Sequence, residues 1–415
     1  MAKIFILELN EFNLDILKYY SKKYKLTNIK KILKFHSTKT FTKDRYLGNN
    51  NQFGYLDPWS QWVSIHTQKE AKIHKIKNLG DIPSLKIKQI WEKRHEDFYI
   101  WGPMNASKKN AKNVKVFFPD PWVYSEKAYP VELNKLLKPI KQITKSRGVL
   151  PSLEKIVIIT KLIKNLINLA GFKVLKYYFY DLLKGYFKFG NKQFVQIIAW
   201  EKLAFKIFIK YFKGKDKFLS IYFFNALAHV QHHYWSQNKV CKEIIYCLEN
   251  LDTIIKNILA IENTELIIFN GLSQKNSEKD GLYLYEQISH ELFLRSLGIN
   301  FKKVENLMTN DAHIFFSSKK ETQKCFKILK SISFKSQKIF YVEIIEKNKI
   351  FYKTNYIKKV SIRDKLIINN KKMNFLKHFK LITLRRGIHS HSGNILSQKN
   401  IFPRKIQNHY FFNYI

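Results

Sequence analysis

The side chains best suited to chemistry arrive together at Asn225, His229, His232 and His233, three of the chain's 13 histidines and one Asn. Imidazoles bind divalent metals and move protons near neutral pH. His229 and His233 are four residues apart, so on a helix they share a face and can converge on one ligand. The alternative is an aromatic-rich strand-to-helix junction with its histidines hydrogen-bonded in the core. Glu8 and Glu11 close the first apolar run of the chain, where carboxylates can begin a metal or phosphate site. The bland counterpart there is a helix N-terminus capped by Asn10 or Asn13, with Asp15 in its first turn. Ser60, Ser64 and Thr67 offer hydroxyls on a short helix opened by Pro58. Near the C-terminal end, Arg385 and Arg386 can hold an anion, and His389 and His391 follow at once.

These groups sit at the ends of runs that read as buried strands. Lys3–Leu9, Asp97–Trp101, Val114–Phe118, Phe218–Phe224 and Thr264–Phe269 are short, apolar and rich in β-branched or aromatic residues. Helical patterns over Leu14–Tyr24, Ile87–Arg94, Lys242–Leu259 and Tyr285–Leu297 alternate with them. Strand–helix alternation predicts an α/β fold with a mostly parallel sheet covered on both faces, whose carboxyl edge carries the chemistry. Residues 36–55, including Asn49-Asn50-Asn51, read as loop. Leu153–Leu169, Phe172–Tyr186 and Phe194–Phe212 form three basic, aromatic-rich helical stretches. They divide the chain into 1–149 as the first part of the core, 150–215 as an insertion or lid, and 216–415 as the second part. Shorter strands follow at His313–Phe316, Ile339–Ile344 and Leu381–Leu384.

Composition narrows the classes. Lys and Arg number 74 against 32 Asp and Glu, a net charge of +42. Such charge suits nucleic acid or an anionic membrane surface. The lysines are spread along the whole chain among Ile, Asn and Phe, however, so lysine reads as the default surface residue. No nucleic-acid motif accompanies them, and no specific nucleic-acid partner is expected. The basic helices of 150–215 can pack on the sheet, cover a site, or make peripheral contact with a membrane. Cys241, Cys247 and Cys325 lack metal-site spacing, and three is odd, which fits a reducing compartment. The N-terminal stretch reads as a strand and not a signal peptide. No apolar run has transmembrane length. A cytoplasmic protein, or one peripheral to the inner membrane, is expected.

Five motifs then fall in a recognisable order: Leu9-Asn10-Glu11-Phe12-Asn13, the run from Pro58-Trp59-Ser60-Gln61 to Thr67, Pro119-Asp120-Pro121-Trp122, Ala228 to Tyr234, and Gly271-Leu272-Ser273-Gln274. The chain resembles the alkaline phosphatase-like superfamily, which includes phosphodiesterase/nucleotide pyrophosphatases, sulfatases and phosphoglycerate mutases. In particular it is similar to a branch found with surface-polysaccharide biosynthesis. The resemblance implies two metals, usually zinc, that clamp an in-line displacement at phosphorus. Carried over residue by residue, the first-strand Asp falls on Asn10. The nucleophile, nine residues before a Thr-Gly, falls on Pro58, with Gln68 in place of the Gly. Asp-x-x-x-His falls on Asn225 and His229, Asp-His on Asn270 and Gly271, and the final His on His389 or His391.

Asn in place of three Asp residues removes three negative charges that a two-zinc site needs. The expectation is therefore one divalent ion, zinc or another, or none. His229 with His233 or His232, and His389 or His391, would hold it, with Asn225 and Asn10 alongside. Ser60, Ser64, Glu8 and Glu11 are the candidates for catalysis. Trp59, Gln61, His232, Asn270, Gln274, Arg385 and Arg386 are those for substrate binding. The implied function is a divergent phosphatase, phosphodiesterase or sulfatase-like hydrolase or transferase acting on an anionic sugar or lipid-linked saccharide. The alternative is an inactive relative that binds or assembles in the same pathway.

Overall fold

The structure is a computed structural model that describes residues 3–44, 57–146, 151–237, 239–307, 310–368 and 371–415. It divides into two compact units: residues 1–275 with 388–415, and residues 276–387. The sequence reading placed 216–415 in one core.

In the first unit, the continuous apolar runs become the middle of a sheet. Strands β1 (Lys3–Leu9), β2 (His36–Phe41), β3 (Phe98–Trp101), β4 (Val114–Phe118), β5 (Phe218–Phe224) and β6 (Thr264–Phe269) join Ser392–Ser397 and Lys405–Gln407 in eight strands. Their spatial order is Lys405–Gln407, β2, Ser392–Ser397, β6, β1, β5, β3, β4. Every pairing is parallel except those of Ser392–Ser397, which runs antiparallel to β2 and β6. β1 is central, flanked by β5 and β6, and all seven residues of β5 are buried. Burial on both faces is why these strands read as unbroken apolar runs.

The unit's helices are α1 (Leu14–Lys23), α2 (Thr27–Ile32), α3 (Pro58–Thr67), α4 (Ala71–His74), α5 (Ile90–Lys93), α6 (Val131–Lys145), α7 (Ser152–Ala170), α8 (Phe172–Phe189), α9 (Gln193–Phe208), α10 (Ala226–Tyr234) and α11 (Lys242–Leu259). Phe5, Leu7 and Leu9 of β1 share a core cluster with Ile16 and Leu17 of α1, Phe205 of α9, and Ile244 and Leu251 of α11. Side chains alternate along a strand, so Glu8 points to the opposite face, where it meets His66 of α3. Helices therefore cover both faces, as the alternating pattern predicts.

Two predicted elements differ. Residues 36–41 of the expected loop form β2, whose Thr38 and Thr40 are buried between neighbouring strands. Its polar composition hid a strand paired on both edges; Asn49–Asn51 lie outside the described residues. Tyr285–Leu297, read as one helix, is a strand at Leu282–Gln287 followed by a helix at His290–Ser296. Tyr285 pairs with Leu381 across an antiparallel ladder, a non-local contact that overrides local pattern. The second unit also holds an antiparallel sheet of Phe340–Glu346, Lys349–Thr354, Asp311–Phe315 and Lys303–Asn306, packed around its own core with Phe293, Leu329 and Tyr352.

Candidate active site

The carboxyl ends of β1, β5 and β6 lie side by side, and the chain leaves each on a different course. After β1, Asn10 N–H donates to the Phe224 carbonyl at 3.0 Å, extending the ladder by one residue. Glu11 then adopts φ +54°, a left-handed conformation uncommon for a residue with a Cβ. Gln231 of α10 braces this kink: its Nε2 donates to the Glu11 carbonyl (2.9 Å), and its Oε1 accepts from Asn13 N–H (3.0 Å). Asn13 in turn caps α1, accepting from the N–H groups of Asp15 and Ile16. Asn13 is thus the cap of α1 that the local reading expects.

The kink turns the Glu11 carboxylate, 2% exposed, onto two histidines. Glu11 Oε2 lies 3.0 Å from His232 Nε2 and 3.1 Å from His389 Nε2. The two rings meet edge to face, their centroids 5.3 Å apart. Gln274 Nε2 donates to Oε2 at 2.7 Å, and Asn10 Nδ2 donates to Oε1 at 3.1 Å. His389 Nδ1 faces Asp57 Oδ1 at 3.5 Å. Burial pushes the Glu11 carboxyl up, but the imidazoles of His389 and His232 outweigh it and hold the group well below its ordinary value.

One ligand atom from each of Glu11, His232 and His389 lies within 4.8 Å of the others. Two imidazole nitrogens and one carboxylate oxygen are the donors of an open zinc site. Gln274 and Asn10 on the carboxylate, and Asp57 on one imidazole, would orient them from behind. The set fits one divalent ion.

Asn10, Asn225, His229 and Asn270, onto which the resemblance carries metal ligands, do not fit another ion. Asn10 Nδ2 also donates to Asn225 Oδ1 (2.7 Å), and Asn10 Oδ1 accepts from Trp62 Nε1 (2.8 Å). Asn225 Nδ2 faces His229 Nε2 at 3.2 Å. With Asn225 Oδ1 taken by Asn10, this nitrogen must accept, which requires a neutral His229. Burial, with His232 nearby, pulls the His229 pKa down to about 4, consistent with that state. Asn270 donates to the Phe12 carbonyl and accepts from Asn394 N–H. Where carboxylates would face a cation, three amides hydrogen-bond to their surroundings.

Behind Asn225 lies an acid the sequence reading missed. Glu201 of α9, 8% exposed, accepts from Asn225 N–H and the Tyr222 hydroxyl, both at 3.0 Å. Burial raises its pKa to about 7. Its place inside a basic amphipathic stretch gave no signal of this role. Asp57, which precedes Pro58, likewise carries no sequence signal of its place beside His389.

The remaining candidates lie outside the Glu11 cluster. Ser60 Oγ donates to the Ile76 carbonyl at 2.6 Å. Ser64 Oγ lies between Asp44 Oδ2 (3.0 Å) and His74 Nε2 (2.9 Å), all three residues buried. His74 Nδ1 accepts from Ile76 N–H, so a neutral His74 carries its proton on Nε2 and donates it to Ser64. Burial lowers His74 to about 4, keeping it neutral. The resulting chain, His74 to Ser64 to Asp44, runs opposite to the proton abstraction a serine nucleophile needs. Glu8 pairs with His66, Trp59 Nε1 donates to the Lys77 carbonyl, and Gln61 is buried in α3. His233 lies in the last turn of α10, and the His391 carbonyl accepts from Thr42 N–H. Arg385 and Arg386 belong to the second unit, where Arg386 pairs with Glu278 at 2.9 Å.

No family model and no curated protein matches this sequence. Among solved structures, the chain is similar to phosphonoacetate hydrolase from Sinorhizobium meliloti, at 10% identity over 100% of this chain and 94% of that one, with a TM-score of 0.42. It is also similar to murine ectonucleotide pyrophosphatase/phosphodiesterase 5, at 10% identity over 99% and 93%, TM-score 0.46. A variant of the alkaline phosphatase PafA aligns at 11% identity over 98% and 94%, TM-score 0.44. All three are alkaline phosphatase-like proteins.

Proposed function

We propose that this chain is a divergent hydrolase or group transferase for a phospho- or sulfo-substituted sugar, free or lipid-linked, built around a single cation-binding cluster. The observation that supports it is the convergence of Glu11, His232 and His389 at the carboxyl edge of a parallel sheet. A divalent ion there would supply a Lewis acid for an anionic oxygen. Glu11 contributes the negative charge, and Gln274 and Asn10 keep its carboxylate oriented. The polysaccharide setting is what the resemblance carried by the strand-end motifs implies. A reducing, cytoplasmic location rests on the three cysteines, all buried and unpaired. Among the described residues, no helix is long and apolar enough to cross a membrane.

A second reading, a binding protein without turnover, is favoured by the neutral Asn10–Asn225–His229 network and by the committed hydroxyls of Ser60 and Ser64. Elemental analysis and zinc titration of the purified protein test the first reading. One zinc per chain, lost in Glu11→Gln and His389→Ala, is the expected result. No stoichiometric metal in the parent would sink it. Melting raised by sugar phosphates without product formation would establish the second.

A further inference from the structure

The surface of the helical insertion is unlike the rest of the first unit. On α8, Phe172 is 72% exposed and Phe187 is 90% exposed; Phe179, Tyr180 and Leu183 are also exposed. Phe172, Phe179, Leu183 and Phe187 stand at i, i+7, i+11 and i+15 on one side of the helix, with the exposed Lys176 among them at i+4. Leu175, Tyr178 and Leu182, on another side of α8, pack into the core cluster, so the stripe is a second apolar face and not the packed one. Helix α7 repeats the pattern, with Leu153 80% exposed and Ile156, Val157 and Ile167 also exposed along the helix, while Ile158 and Leu166 are buried.

The charges around these faces decide what covers them. Residues 152–189 hold seven lysines, at 155, 161, 164, 173, 176, 184 and 188, against Glu154 and Asp181. Asp181 is already paired with Lys202 of α9. Lys173, Lys184 and Lys188 run along one border of the α8 stripe. A second copy of this chain would set lysine against lysine, with +42 on each molecule. An anionic lipid surface complements the charge and accepts Phe, Tyr and Leu at the headgroup boundary, with lysines reaching the phosphates. Neither helix is apolar enough to span.

We infer that α7 and α8 dock the protein in the interface of an anionic bilayer, lying in its plane. This inference stands on the insertion alone and is independent of the Glu11 cluster. Flotation of the full chain with phosphatidylcholine vesicles, with and without phosphatidylglycerol, tests it. Binding is expected only to the anionic vesicles, and salt should weaken it. The triple variant Phe172→Ser, Leu183→Ser, Phe187→Ser alters only exposed positions. It should lose binding by about tenfold or more, with circular dichroism and melting unchanged. Glu11→Gln should float like the parent, which separates this inference from the metal reading. Failure of the parent to bind anionic vesicles, equal binding by the triple variant, or a lipid-free dimer that the triple variant dissociates would each overturn it.

Discussion

Glu8 and Glu11 lie three residues apart, and each meets imidazole, yet they occupy opposite situations. Glu8 and His66 are 0% exposed and 2.8 Å apart, with His66 against the rings of Trp62, Trp91 and Phe412. Glu8 Oε2 and His66 Nδ1 find no further partner among the described residues. Glu11 has two histidines, a glutamine and an asparagine converging on it, on a kinked backbone. The first is a closed polar pair inside a hydrophobic wall. The second is a multidentate cluster that can exchange one contact for another. On the function proposed above, the carboxylate with several convergent donors serves a ligand and the one sealed with a single partner serves the fold.

Breaking each side of this comparison should give different losses. The largest effect is expected for Glu11→Ala combined with His232→Ala. Zinc affinity should fall below detection in a titration, while Gln274→Ala, which removes only an orienting donor, should cost about 10–100-fold. Stoichiometric zinc in the double variant would place the ion elsewhere. Next, His66→Ala should destabilise by about 3–5 kcal/mol in denaturant unfolding, because it strands a buried carboxylate. The paired change Glu8→Met, His66→Leu should recover most of that loss. In both, zinc affinity of the folded protein should stay near that of the parent.

A third test uses Glu201. Its carboxyl is raised by burial to about 7, so the folded state holds its proton more tightly than the unfolded chain does. Stability from this group is complete below the ordinary carboxylate range and is lost as pH rises towards about 7. Glu201→Gln should therefore gain on the parent by up to about 3 kcal/mol above neutral pH and converge with it near pH ~4. A pH-independent difference in melting would refute this. The smallest effect is expected for Asn13→Ala, about 1 kcal/mol from the lost cap of α1, with a minor change in zinc affinity. A large affinity loss would show that the cap holds the Glu11 kink.

Much of the scaffold was legible because burial on both faces leaves a strong local trace. The bounds of β1, β5, β6 and α11 can be read from apolar runs and helical period alone. The strand β2 cannot, since His36–Phe41 is polar and becomes a strand only through partners at 392–397 and 405–407. Site chemistry was legible as residue types: Glu11, His232, His389 and Gln274 all stand out by type and by following strands. Their grouping was not. Helical spacing favoured His229 with His233, but His229 faces Asn225 while His232 meets Glu11.

The sequence by itself determined a parallel α/β core with imidazoles and carboxylates after its central strands, because hydrophobic period and side-chain identity are local properties. Only the tertiary structure decided that Glu8 turns into the core and Glu11 onto His232 and His389. That choice depends on strand alternation, on a left-handed residue at the end of β1, and on partners far along the chain, none of which leaves a local mark.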